Sequence, residues 1–292
     1  MATQSDSSKH ASKHASAAFA VVTQCRRFDG QVAIVTGAAQ GLGRVIAHRI
    51  AAEGGTVVVA DIQGARAKRC AEQLAAQTGS NVTSFAGDLS ELGVADQMVK
   101  VVLERHGRID ALVNNAAALI RLRLVDFTEE LLQQAVQWNV WNTLRCCKAV
   151  VPVMTTQHYG RIVNIGGEAW RTGAAFHTLL AGVGKGSMVG LTVTLAGETI
   201  ADGITVNCVS PGGIDTAADG DPEPQPPGFR EPSWNPPAVM KSMAEAAKLR
   251  AITMGRLAHP TEIAAAVAFF ASREASYVTG QHIGVSGGMA MI

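Results

Sequence analysis

A β-rich run, Val32–Thr36, leads straight into Thr36-Gly37-Ala38-Ala39-Gln40-Gly41-Leu42-Gly43, and a helical pattern follows. Glycines at 37, 41 and 43 let the chain turn tightly and bring its backbone close to a ligand. The helix behind them offers amino-terminal N–H groups and a partial positive charge, which suits a pyrophosphate. A glycine pattern of this kind carries weight because it lies between a strand and a helix. It points to a parallel α/β sheet that binds a dinucleotide.

The rest of the chain agrees. Strands are expected at Val32–Thr36, Thr56–Asp61, Val82–Ala86, Ala111–Asn114, Arg161–Ile165, Ile204–Val209 and His282–Val285. Helical spacing lies between them, as in Leu92–His106 and Glu129–Thr155. Continuous apolar strands alternating with helices are buried on both faces. The expected fold is therefore α/β: a single Rossmann-type doubly wound domain over 28–292, its seven-stranded parallel sheet covered by helices on both faces.

Residues 1–27 are small and polar, with the echo Ser8-Lys9-His10-Ala11-Ser12-Lys13-His14-Ala15-Ser16, and read as a flexible tail. Seven of the ten prolines fall between Asp219 and Pro237. That stretch follows a strand's carboxyl end, where ligands bind in such sheets. It reads as part of a substrate lid near 217–250, with a helix from about Ala238 to Arg250.

A formal charge of +1 gives no electrostatic reason to expect nucleic acid or an anionic membrane as partner. No apolar run is long enough, without polar interruption, to suggest a membrane span. The five cysteines have neither C-x-x-C nor zinc spacing, so no metal is expected, and reduced thiols suit a cytoplasmic protein.

Asp61 ends the second strand about twenty residues past the glycines, where a carboxylate holds the adenosine ribose hydroxyls. It would also repel a 2′-phosphate, and position 40 is Gln rather than a basic residue. The expected cofactor is NAD rather than NADP.

From the Thr-Gly-x-x-x-Gly-x-Gly spacing onward, roughly residues 28–292 resemble the short-chain dehydrogenase/reductase family. Gly87-Asp88-Leu89 looks like its adenine-contacting segment, and Asn114-Asn115-Ala116-Ala117 is similar to its Asn-Asn-Ala-Gly strand end. Asn139 matches the helix asparagine that helps anchor a catalytic water. Asn207-Cys208-Val209-Ser210-Pro211-Gly212 resembles the Pro-Gly turn beside the nicotinamide, and Thr216 has the spacing of a threonine that bonds the carboxamide. The resemblance implies cofactor contacts from Gly37, Gln40, Gly41, Leu42, Gly43, Asp61, Ile62, Asp88, Leu89, Asn115, Ala116, Lys185, Pro211, Gly212, Ile214 and Thr216. It also implies a homodimer or homotetramer, with a small ring alcohol, cyclic diol or ketone as substrate.

The chain departs from the family at its reaction centre. Its only tyrosines, Tyr159 and Tyr277, have Val163 and Gln281 four residues later, not the lysine of a Tyr-x-x-x-Lys pair. The matching stretch is Ala181-Gly182-Val183-Gly184-Lys185, and no serine lies between Ser90 and Ser187, so Gly167 stands where the family has its serine. The catalytic candidates are Lys185, Asn139 and His177, with His177 as substitute acid/base because an imidazole exchanges protons near neutral pH. Glu168, Arg171 and Thr178 are further local candidates, although Glu168 and Arg171 would pair at i,i+3. Three readings follow: an NAD-dependent oxidoreductase with a rebuilt proton-transfer site, a non-redox lyase, isomerase or cyclase, and an NAD-binding subunit supporting an active paralogue.

Overall fold

The computed structural model describes residues 25–118, 120, 122–173, 179–219 and 251–291. His177, Thr178, the helix expected at 238–250 and most of the tail and lid lie outside them.

Seven strands form one parallel sheet: β1 Val32–Thr36, β2 Thr56–Asp61, β3 Val82–Ala86, β4 Ala111–Asn114, β5 Gly160–Ile165, β6 Ile204–Pro211 and β7 His282–Val285. Their spatial order is β3-β2-β1-β4-β5-β6-β7. The order reverses between β1 and β4, which opens a crevice at their carboxyl ends, where such sheets take ligands.

Alternating side chains of each strand feed two apolar layers. Helices α1 (Gly41–Ala52), α2 (Gly64–Thr78) and a later helix, Pro260–Ala271, cover one face, packing Ile46, Leu74 and Val267 with Val35, Val59 and Val163. Helix α3 (Val94–His106) and two later helices, Asn142–Gln157 and Leu179–Thr199, cover the other, packing Met98 and Val150 with Ile34, Ile162 and Val206. The expected doubly wound sheet is the observed one.

Several element boundaries differ from the sequence reading: β5 begins at Gly160 rather than Arg161, and β6 runs on to Pro211 rather than ending at Val209. Helix α3 starts at Val94 rather than Leu92, because Gly93 is left-handed at φ 82° and begins the turn instead. The expected Glu129–Thr155 helix is split into α4 (Glu129–Val136), a π-helical segment Gln137–Trp141 and α5 (Asn142–Gln157). The Asn139 amide donates to the Ala135 carbonyl at 2.8 Å, taking the acceptor a regular α-helix would give to the residue-139 backbone N–H. After a short turn, α6 (Ala169–Thr172), helix α7 spans Leu179–Thr199, and α8 is the Pro260–Ala271 helix. Helix α7 begins well before Lys185 and runs through Gly182 and Gly184, both poor helix formers.

With its 3-10 extension to Asp202, α7 is long and apolar enough to cross a membrane by length and composition alone. It lies against the sheet, joined by a hydrogen bond from Asn164 of β5 to Thr192 at 2.9 Å.

Candidate active site

The crevice at the sheet's reversal is a cavity of about 280 Å³. Its walls include Gly37 and Gln40 after β1, Asp61 and Ile62 after β2, Asp88 and Leu89 after β3, and Asn115 and Ala116 after β4. Eight of the expected residues thus converge on one pocket. Gly41, Leu42 and Gly43 start α1 at its edge.

Close packing dictates the glycines. A Cβ on Gly37, itself at φ 62°, would sit 2.8 Å from the Ala116 Cα. One on Gly43 would sit 2.3 Å from the Gly37 carbonyl oxygen and 2.6 Å from the Asn115 amide nitrogen. No side chain fits either position without moving backbone.

Asp61 is almost wholly buried and accepts from the Ala39 backbone at 3.1 Å and the Gln63 backbone at 3.0 Å. These bonds aim the carboxylate into the pocket and leave it free to accept further hydroxyls. Asp88 accepts both the Ser90 backbone N–H, at 2.9 Å, and its hydroxyl, at 2.6 Å. Asn115 bonds the Thr36 and Gly37 carbonyls at 3.0 Å each, so its side chain fixes the glycine turn rather than facing the ligand.

Asn139 is similarly committed. It accepts from the Ala118 backbone at 3.2 Å and donates to the Ala118 and Ala135 carbonyls, stapling the π-helical segment to the loop after β4. A Cβ on Gly184 would sit 2.7 Å from the Asn139 Cβ, so that glycine lets α7 press against it.

The second half of the site lies at the ends of β5, β6 and β7, outside the pocket walls. Lys185 donates from Nζ to the Ile165 carbonyl at 2.9 Å. Burial pulls its ammonium down to about 8, opposed by the nearby Cys208 thiol. A Cβ on Gly167 would meet the Lys185 Cγ at 3.3 Å, so the position expected to carry a serine opens onto this lysine's stem. Pro211 ends β6, and the backbone of Gly212 just after it donates to the Val285 carbonyl at 3.2 Å. Ile214 bridges to Ala258, and Thr216 opens a short 3-10 turn.

Glu168 and Arg171 form the expected pair, with both guanidinium bonds made at 2.8 and 3.0 Å. The sequence did not single out a second pair beside it. The His282 Nε2 lies 2.6 Å from the Ser210 hydroxyl, which also accepts the Gly167 amide at 3.0 Å. Burial holds the imidazole below its usual range, helped by Arg171 and opposed by Glu168. The available signal was positional: Ser210 precedes the Pro-Gly turn and His282 opens the adjoining strand. Asn142, Trp138 and Ser90 line the pocket without having been singled out either.

A family model described as Enoyl-(Acyl carrier protein) reductase matches residues 37–290. The 2,3-dihydroxy-2,3-dihydro-p-cumate dehydrogenase of Pseudomonas putida F1 is 34% identical over 264 residues, covering 90% of this chain and 96% of the relative. The 1,6-dihydroxycyclohexa-2,4-diene-1-carboxylate dehydrogenase of Acinetobacter baylyi is 35% identical over 265 residues, covering 90% and 97% respectively. The solved structure of YwfH, an NADPH-dependent reductase involved in bacilysin biosynthesis, superposes with a TM-score of 0.78 at 26% identity, covering 90% of this chain and 99% of that one.

Proposed function

This chain belongs to the short-chain dehydrogenase/reductase family, and from that premise we propose that it is an NAD-dependent dehydrogenase of small cyclic diols with a rebuilt proton-transfer site. The observation that carries the proposal is the joint presence of a complete nucleotide pocket and the partly buried Lys185. The two dihydrodiol dehydrogenases among its relatives support the substrate class.

The residues fit a dinucleotide. Gly37 and Gly43 keep open a cradle that any Cβ would fill. The amides at the start of α1 would hold the phosphates, Asp61 the adenosine ribose, Asp88 and Leu89 the adenine, and Ile214 and Thr216 the carboxamide. The bound cofactor would supply a hydride acceptor at its nicotinamide ring. Because YwfH uses NADPH, the preference for NAD rests on Asp61, whose charge opposes a 2′-phosphate, and on the uncharged Gln40.

The chain's own part is to orient the diol and to hold its proton. With Ala181 and Gly167 carrying no hydroxyl, a local group able to exchange a proton at moderate pH is Lys185. A neutral Lys185 amine accepts a proton, and the Ile165 carbonyl holds the resulting ammonium. His177 is kept as an alternative acid/base.

One feature favours a second reading, a non-catalytic NAD-binding subunit: both hydroxyl-bearing residues of the family's centre are replaced at once. Purified protein incubated alone with NAD and a panel of cyclic diols decides between them. NADH formation supports the dehydrogenase, and tight NAD binding without turnover supports the subunit.

We further propose a homodimer or homotetramer. Val183 and Val193 on α7 and Trp141 beside α5 are about half exposed, an apolar surface suited to a second copy. Its five cysteines are free thiols, which suits a cytoplasmic enzyme.

A further inference from the structure

One hydrogen bond at the pocket's edge joins residues 178 apart in sequence. Asp219 directs its Oδ2 at the backbone nitrogen of Gly41, the first residue of α1, at 2.6 Å. Its main-chain carbonyl accepts from the Arg44 Nη1 at 2.8 Å. The contact is enclosed: Asp219 is 7% exposed and Arg44 4%.

The Gly41 N–H belongs to the first turn of a helix, where amides lack intrahelical acceptors and the dipole favours an anion. The anion found there is a side chain of the protein itself. Its position is set by a short tether. The chain leaves β6 at Pro211-Gly212, is pinned by the Ile214–Ala258 bridge and the Asp215 N–H to Ala258 carbonyl bond at 3.0 Å, and turns at Thr216 toward α1.

We propose that the Asp219 carboxylate is a built-in competitor for the cofactor's pyrophosphate at the start of α1, so that cofactor binding and displacement of residues 216–219 are a single event. The proposal rests on the dinucleotide reading of the pocket. A carboxylate and a phosphate cannot share one N–H, and their like charges repel at that distance. The pocket accepts the cofactor only in the fraction of molecules whose Asp219 has let go, and the apparent affinity falls by that fraction. Thr216 lies on the displaced segment, so the same step frees it to rearrange beside the nicotinamide end.

The test compares wild type with Asp219→Asn, which keeps the shape and removes the charge, and Asp219→Ala, which removes the contact. NADH is titrated by calorimetry, and melting is followed with and without NADH. Both variants are expected to bind NADH more tightly, by roughly three- to thirtyfold, the range of a charge at a helix amino terminus. Without NADH the Ala variant should melt earlier than wild type, and its NADH-induced rise in Tm should be the larger. Unchanged or weaker NADH binding by a folded Asn variant would mean that Asp219 merely caps the helix, and the proposal fails alone. A wild-type protein that binds no NADH would overturn the pocket reading and this proposal together.

Discussion

His282 and Ser210 sit on neighbouring strands with Nε2 and Oγ 2.6 Å apart, and that hydroxyl also accepts the Gly167 amide. Through these two bonds the last strand of the sheet fixes the backbone at the end of β5. A neutral imidazole whose proton sits on Nδ1 accepts the Ser210 hydrogen at Nε2, which leaves the oxygen's lone pairs for Gly167. The environment favours that neutral form, since burial lowers the His282 pKa from 6.5.

His282→Ala leaves a buried hydroxyl short of a partner and should cost about 1–3 kcal/mol. The sign of its pH dependence follows from the lowered pKa. Between the folded value and about 6.5 the unfolded chain binds more protons, so wild-type stability falls as pH drops through that window. The gap between wild type and His282→Ala should therefore shrink in acid. Urea denaturation at neutral and mildly acidic pH measures it, and a gap that widens in acid contradicts the assignment.

Lys185 has the opposite pH range and a simpler test. Its folded pKa is about 8 against 10.5 for the free side chain, so the fold bears a cost for the charged form below about 8. Between those values the unfolded chain binds the extra proton, and stability rises with pH. Lys185→Met should be more stable than wild type at neutral pH, by about 1–3 kcal/mol. The advantage should vanish by about pH 10.5. The same variant should lose turnover, while Lys185→Ala that keeps full turnover would sink the proposed proton site.

Asp61→Ala removes a ribose acceptor and the charge that opposes a 2′-phosphate. NADH affinity should fall roughly 10- to 100-fold, as for a hydrogen bond to a charged group, while NADPH affinity falls less or rises. Parallel fluorescence titrations check this. Equal losses for both cofactors would show that Asp61 only ties the Ala39 and Gln63 amides together.

The sequence made the sheet and half of the site legible because both depend on local pattern. Continuous apolar runs such as Thr56–Asp61, alternating with helical segments, suit a parallel sheet covered on both faces, and Gly37 and Gly43 mark where backbones must touch. Other features arise from pairings between distant segments. The Ser210–His282 bond exists because β6 and β7 are neighbours in the sheet, and Asp219 reaches Gly41 only after the chain turns at Thr216. The π-helical segment at Gln137–Trp141 depends on the Asn139 side chain taking a backbone acceptor, which apolar spacing does not encode.

Restoring the missing hydroxyls separates the two main readings. Ala181 lies one helical turn before Lys185 on α7, and Gly167 opens onto the stem of the same lysine. A serine at 167 fits after a shift of a few tenths of an ångström in that flexible stem, because its Cβ would meet Cγ at 3.3 Å. A phenol at 181 would place a ring one turn from the ammonium, in the volume assigned to the diol or its proton carrier. In a rebuilt dehydrogenase the double change Ala181→Tyr, Gly167→Ser should lower turnover of the natural diol, by blocking substrate and crowding Lys185. In an NAD-binding subunit the same change adds a positioned acid to an intact pocket, an effect worth roughly 10²–10⁴-fold. NADH formation over a panel of cyclic alcohols and diols, with NADH binding measured alongside to establish that the pocket survives, reads the difference. We expect turnover to fall; a gain of that size from an inactive wild type would make this chain a subunit that has lost its acid rather than an enzyme that has replaced it.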